Sequence, residues 1–463
     1  MAGNKQQTQN IGATMARLWE KGEAVDAKVH RFTVGNDPQI DLHILRWDII
    51  GSLAQARMLA KVGLISEDES KNLVAALGEL LIKADRGEVH IPDDLEDCHT
   101  TIESLLIEVV GEAGKKIHTG RSRNDQVLLA MRLYLREQVA SGLAALHAFA
   151  DQTSERAEEL FDQPMPGYTH YQRAMPTSVG VWLHAFAEAA LHLLREGFAV
   201  YEMIDCSPLG AASGFGVPLP LDRAYVAELL GFRAVQRNPI YVQSSRGRHE
   251  LLVLRWMLDV NCLLEKLACD LVLFSTEEFG FVSIPPEFTT GSSIMPQKHN
   301  PDVLELLRAR ASRQRGAVAE LEAVIAKLPS HYHRDYQYTK EPVMRGTTNF
   351  LECLDVATEV VARLGISPER IKAAMSPELF ATYDAYRRVL AGETFRDAYK
   401  ATAEAVKKGE INVTELESDL NIILTSAREE LSDCRAELAT VREQIGNLIL
   451  HLTEVERRLL GGS

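Results

Sequence analysis

Arg248-His249-Glu250-Leu251-Leu252-Val253-Leu254-Arg255-Trp256-Met257-Leu258-Asp259-Val260-Asn261-Cys262-Leu263-Leu264-Glu265-Lys266-Leu267-Ala268-Cys269-Asp270-Leu271-Val272-Leu273-Phe274 decides the fold of this chain. Leu251, Leu254, Leu258, Cys262, Leu267 and Leu271 recur at helical spacing, and apolar residues lie on nearly every side. A helix of that kind belongs at the centre of a bundle or between subunits. Arg255 and Asp259 interrupt it well before the roughly 20 apolar residues a membrane span needs.

The neighbouring segments repeat the pattern. Val127, Met131, Leu135, Val139, Leu143, Leu146 and Ala150 share one helical face between Asp125 and Ala150. Another helix is expected after Pro301, through Leu304, Leu307, Ala311 and Ala317 to about Leu328. Strand alternation is almost absent. Pro/Gly-rich breaks at 164–177, 207–220 and 283–296 separate the helices. The expectation is an all-α fold of three helical domains: an N-terminal domain over 1–117, a long central bundle over 118–364 and a small C-terminal domain over 365–415. Pro368 and Pro377 break helices near the last boundary.

A helical tail over 416–463 follows. Leu431, Cys434, Leu438, Val441, Ile445, Leu448, Leu452, Val455 and Leu459 are spaced alternately three and four apart. That spacing suits either a coiled-coil seam or a helix laid along the parent bundle, and the sequence leaves both open.

Composition sets bounds. The chain has 463 residues, 46% hydrophobic and 25% charged, which can bury a large core as more than one domain. A formal charge of −15 argues against nucleic acid as partner. It allows an anionic small-molecule substrate, because Arg121, Arg123, Lys298 and Lys340 can form a local positive cluster. Met1 to Gln7 is polar and lacks the apolar core of a secretory signal. Six scattered cysteines without Cys-x-x-Cys spacing read as reduced thiols in a cytoplasmic protein. Cys98-His99 has no partner pair nearby, so no metal site is implied.

The run Gly291-Ser292-Ser293-Ile294-Met295-Pro296-Gln297-Lys298-His299-Asn300-Pro301 carries chemistry. Gly291 opens it, and Pro296 and Pro301 keep it from becoming helix. A serine there can move a proton while Lys298 and Asn300 stabilise developing negative charge. It resembles the signature loop of the fumarase/aspartase superfamily, with all the fixed positions of Gly-Ser-Ser-x-Met-Pro-x-Lys-x-Asn present. His118-Thr119-Gly120-Arg121-Ser122-Arg123-Asn124-Asp125-Gln126-Val127 and Pro166 to Thr177 resemble blocks of the argininosuccinate lyase branch. The resemblance spans roughly residues 15 to 415 and lapses in the tail.

That resemblance implies a cofactor-free and metal-free lyase giving arginine and fumarate from argininosuccinate, a step of arginine biosynthesis. It implies a homotetramer with each site drawn from three chains. Ser292 would be the base, with Ser293 as the alternative. Lys298 and Asn300 would hold the enediolate. His170 would serve the leaving nitrogen, oriented by Glu305, with Thr169 or a water as other proton donors. Arg123, Asn124 and Thr169 would bind substrate, and Tyr332, Gln337 and Lys340 its arginine-derived end; Asp97 and His99 are lesser candidates.

Two departures bear on substrate identity. Gly35 stands where the family commonly carries a substrate-binding serine, so that contact must pass to a backbone amide or Thr33, or be absent. Gln243-Ser244-Ser245-Arg246-Gly247-Arg248 replaces a stretch usually acidic at its start, with Arg248 retained. The competing readings are a lyase acting on another N-substituted aspartate and a catalytically silent structural paralogue.

Overall fold

A computed structural model describes residues 26–92 and 95–461. The polar N-terminal segment and the end of the chain after Gly461 lie outside the described residues. Long helices dominate: Arg123–Glu159, Val179–Ile204, Arg248–Phe274, Asp302–Ile325, Lys340–Ala362 and Val413–Leu459. The first five pack against one another as a bundle. The Arg248 helix begins and ends where its apolar run does, and it buries Leu251, Leu254, Trp256, Val260, Leu264, Leu267 and Leu271 within its own chain. Its exposed positions carry Arg248, Arg255, Asp259, Lys266 and Cys269. Burial inside one bundle therefore accounts for this helix, and its apolar content is no argument for a subunit contact.

Ion pairs fix the direction of its neighbour. Arg315 forks onto Glu265 and Arg255 reaches Glu322, so the Asp302 helix runs antiparallel to it. The Phe274 end of one helix thus lies beside the Asp302 start of the other. The opposite end joins Gly247, Ile325 and Thr339.

The Arg123 helix starts on a capping box. The Ser122 hydroxyl accepts from the Asn124 amide, and Asp125 accepts from the Ser122 amide at 2.9 Å. Asp125 also accepts from the amides of Gly210 and Ala212, at 3.0 and 2.7 Å, tying the helix start to the following loop. Burial pushes this carboxyl up to about 6 against the pull of those amides.

One break is a hairpin rather than a loop. Pro164–Thr169 pairs antiparallel with Gln172–Ser178, with an irregularity between Pro166 and Tyr168. Both strands are edges, where a missing proline N–H costs little, so Pro166 and Pro176 stand opposite each other in register. The prolines hide the strand signal in the sequence.

The tail is the helix Val413–Leu459, lying along the Arg123 and Val179 helices of the same chain. Leu431, Cys434, Leu438, Val441, Ile445, Val455 and Leu459 are buried there. His147 Nε2 lies 2.8 Å from the Leu438 carbonyl, and Arg428 bridges Glu158 and Asp162 at 2.9 and 2.7 Å. Of the two readings of the heptad pattern, the helix along the parent bundle is the one adopted.

Candidate active site

Five of the expected site residues meet at one end of the bundle. Arg123, Asn124, Tyr332, Gln337 and Lys340 line a pocket with Asp37, Asp41, Asp97, Arg246 and Arg334. Each arrives at an element boundary: Arg123 and Asn124 open their helix, Lys340 opens the next, and Tyr332 and Gln337 lie just before it. Exposed donors of this kind are what helix starts provide.

The residues are already partnered inside the chain. Arg123 donates to the Thr100 hydroxyl at 2.6 Å and faces Asp97 at 3.3 Å. Asp97 in turn caps the Cys98–Val110 helix by accepting from the Thr100 amide at 2.8 Å. Lys340 is buried against Asp37 and Asp41. Burial alone would lower its pKa, but the two carboxylates outweigh that and hold it charged. Gln337 donates to the carbonyls of Thr33 and Val34 at 3.0 and 3.1 Å, and Arg334 donates to Thr33 at 3.1 Å.

Those contacts answer the question raised by Gly35. Gly35 has φ +59° and ψ −131°, a backbone unsuited to a serine, and its amide donates to Arg31 O. The Thr33 hydroxyl donates to the carbonyls of Val29 and His30, so it does not replace a serine hydroxyl.

Arg246 was missed by the sequence reading, which took Arg248 as the retained arginine. Arg248 is exposed and lies beside the Tyr241 hydroxyl. Arg246 is buried, its guanidinium stands 5.8 Å from the rings of both Tyr332 and Tyr336, and its Nε has no hydrogen-bond partner. The tyrosine spacing around 332–336 was the available signal, since aromatic faces attract guanidinium groups.

Beneath the pocket sits a buried polar network. His99 Nδ1 lies 2.6 Å from Asp48, which also accepts from Gln126 at 2.8 Å. Burial opposes a charged His99, but the Asp48 carboxylate prevails and raises its pKa. Asp41, Cys98 and His99 bring ligand-type atoms within 4.8 Å of one another. The donor set does not fit a metal. Asp41 already holds the Lys340 ammonium, His99 holds Asp48, and burial pushes the Cys98 thiol far above its ordinary pKa, away from the thiolate a metal requires.

The remaining residues sit at the other end. Thr169 and His170 lie at the hairpin tip, where Tyr168 packs on Phe274, the last residue of the Arg248 helix. His170 and Tyr171 form the two-residue turn, at φ 53° and 58°. Positive φ at both positions is what a type I′ hairpin turn needs, and glycine or asparagine would adopt it more easily. Strained non-glycine residues cluster at functional sites.

The signature loop lies at this same end. Thr290 pairs with Asn300 and Gly291 with His299, pinning the base of a loop whose Ser293 to Lys298 stretch is exposed. Gly291 occupies this pair outside the left-handed region, with nothing within 4 Å of an added Cβ, so its special freedom is not used here. The Ser292 hydroxyl accepts from the amides of Ile294 and Met295, at 3.4 and 3.2 Å. Among the described residues no hydrogen bond or ion pair joins Glu305 to His170, and Lys298 stands on the loop at this end while Arg123 and Lys340 line the pocket at the other. The anticipated positive cluster does not form within one chain. Arg121 is half-buried near Asp48 and Asp125, donating to the Ser52 hydroxyl at 3.0 Å.

The two groups are separated by the Arg248 helix, whose 27 residues span roughly 40 Å at 1.5 Å per residue. The first pocket encloses about 70 Å³. Sites for substrate-sized molecules usually enclose roughly 300–1,000 Å³, more than this pocket offers.

Comparison with known proteins bears on the family and the fold. A family model described as Lyase matches residues 20–316. Solved structures share the fold: EDDS lyase in complex with formate, at TM-score 0.79 and 23% identity, covers 95% of this chain and 96% of its own. A class II fumarase from Schistosoma mansoni reaches TM-score 0.69 at 17% identity, covering 88% and 94%. A match over 95% of the chain cannot stop at residue 415, so the structural likeness extends into the tail. Bundle and loops thus define a lyase of the fumarase/aspartase class.

Sequence relatives narrow it. The argininosuccinate lyase of Sorangium cellulosum (strain So ce56) is 45% identical over 394 residues, 84% of this chain and 90% of that protein. The argininosuccinate lyase of Parabacteroides distasonis is 39% identical, covering 85% and 88%. The chain belongs to the argininosuccinate lyase family.

Proposed function

We propose that this chain catalyses the reversible elimination of argininosuccinate to arginine and fumarate, in sites assembled between chains of a cytoplasmic homotetramer. The observation that carries the reading is the division of the site residues between opposite ends of one bundle. Such halves can cooperate if neighbouring chains run antiparallel, so that the Ser292 end of one meets the Arg123 end of another. Six free cysteines suit a reducing compartment.

The chemistry follows from the groups. Elimination needs a proton taken from carbon beside a carboxylate, then release of the guanidinium nitrogen. Ser292 takes the proton. Two loop amides already aim at its oxygen and lower the cost of an alkoxide. Lys298 and Asn300 stabilise the enediolate. His170, or Thr169 or a water beside it, protonates the departing nitrogen, with Glu305 of another chain raising the basicity of the imidazole. Arg123 and Asn124 bind carboxylate oxygens. Tyr332, Gln337 and Lys340 bind the arginine-derived end, and Arg246 belongs with them.

Fumarate release, followed by its ultraviolet absorbance, tests the reading. Argininosuccinate should give rapid release and other N-substituted aspartates little. Release from a different aspartate derivative alone would transfer the assignment to that substrate, and no release from any would mark a silent paralogue.

A further inference from the structure

The carboxylate of Asp125 is wholly buried, and what holds it is backbone. Oδ1 accepts from the Ser122 amide at 2.9 Å, while Oδ2 accepts from the amides of Gly210 and Ala212 at 3.0 and 2.7 Å. A carboxylate can do this because both its oxygens accept and neither donates. Starting the helix needs only the first of these bonds. The other two reach into a different part of the chain.

Each bond leads to the candidate active-site pocket by its own path. Through Ser122 the carboxylate fixes the first turn, which carries Arg123 and Asn124. Through Ala212 it holds a strained residue, at φ 50°, whose carbonyl accepts from Gln243 Nε2 at 2.9 Å. Gln243 is buried and belongs to the Pro239–Ser244 helix, and the turn after that helix delivers Arg246 to the pocket. The same loop carries Phe215 outward, 69% exposed, to stack on His331 with ring centroids 5.1 Å apart. His331 is also strained, at φ 79°, and adjoins the pocket residue Tyr332. The helix carrying Arg123 and Asn124 and the segments carrying Arg246 and Tyr332 thus share one anchor.

We propose that Asp125 is a positioning residue of the candidate active site, fixing Arg123 and Asn124 relative to Arg246 and Tyr332 through the 210–216 loop. This rests on the reading of the pocket as the half-site for the arginine-derived end of the substrate. Strained backbone persists only where its surroundings over-determine it, and Ala212 is held at both its amide and its carbonyl. Substrate contacts tolerate little misplacement, since an error of about 1 Å can cost about 10²-fold. Because the carboxylate is sealed from water, any replacement must satisfy all three amides or leave one unpaired.

Asp125→Asn keeps the shape but offers one acceptor oxygen, so either Ser122 or the loop meets an NH2 group. In fumarate release from argininosuccinate it should raise KM about tenfold or more while kcat changes less than about threefold. The parental KM should rise as pH falls through about 6, where Asp125 takes up a proton in the presence of the two arginines that face it, Arg121 and Arg223. The Asn variant should lack that rise, which a merely structural role would not predict. Phe215→Ala removes an exposed side chain without threatening the fold, and should raise KM about threefold or more at an unchanged melting temperature. If Asp125→Asn fails to fold, Phe215→Ala decides. A folded Asn variant with parental KM, or parental KM in Phe215→Ala, would overturn the proposal. A parent that releases no fumarate would refute the lyase reading instead, and amide hydrogen exchange would then judge the anchor. Faster exchange over both 210–216 and 331–337 in Asp125→Asn would support it, and an unaltered 331–337 segment would overturn it.

Discussion

Ser292 has an alcohol's basicity until its oxygen is surrounded by donors, and two amides of its own loop already point at it. Because the side chain lies on a loop outside the core, removing it leaves no core cavity. Ser292→Ala is therefore expected to lose 10²–10⁴-fold or more in turnover with an unchanged melting temperature. Near-parental turnover would shift the base to Ser293. At the other end, His118 illustrates a titration set by environment. Burial, then the nearby Arg121, His99 and Arg123, lowers its pKa to about 4. The folded chain keeps it neutral, whereas the unfolded chain protonates it near pH 6.5. Its stabilising contribution is thus full above pH 6.5 and is lost as pH falls toward 4, by about 3 kcal/mol. His249, pushed to about 3 by burial and by Arg132 and Arg248, adds slope in the same direction. Denaturant melts of His118→Asn should show a flatter acid limb than the parent; identical limbs would mean that His118 is protonated in the folded state.

The hairpin Pro164–Ser178 and the tail helix show how elements acquire roles from their neighbours. A two-stranded hairpin is marginal alone, and this one is braced by Tyr168 among Phe274, Phe279 and Phe281. That brace holds the strained His170–Tyr171 turn outward, exposed to solvent. The tail owes its order to the bundle: Leu438 is 1% exposed and its carbonyl is met by His147. Leu438→Asp would bury an unpaired carboxylate and should cost about 3–5 kcal/mol. A chain ending after Ile423 should keep its fumarate-forming activity, because none of the proposed site residues follows Lys340. It should melt at a lower temperature. Equal melting temperatures for both variants and the parent would show that tail packing contributes nothing to stability.

At the scale of the molecule, a small pocket at one end and a serine loop roughly 40 Å away cannot act on one substrate. Arg123→Ala and Ser292→Ala each disable a different half. Mixed tetramers of the two inactive chains should regain part of the parental rate, since some sites would draw both intact halves from different chains. Verified mixed tetramers without recovered activity would sink the shared-site proposal. A chain found monomeric and active in solution would sink it as well.

Periodicity alone was enough for the long helices, since an apolar run such as Leu251–Phe274 has few ways to leave water. The signature loop and the Arg123 block were recognised for a different reason: particular residue types at particular spacings carry the family resemblance whatever surrounds them. The hairpin was not legible, because its prolines suppress the local strand signal and only pairing between two edges permits them. Nor was the tail's partner, since a three-and-four repeat specifies a buried stripe without saying what buries it. Arg246 escaped for a similar reason: whether Arg246 or Arg248 enters the pocket depends on how the chain turns at Gly247, at φ +81°. Long-range contacts settle such choices, and they place the candidate residues at two ends of the bundle that the linear order had run together as one series of motifs.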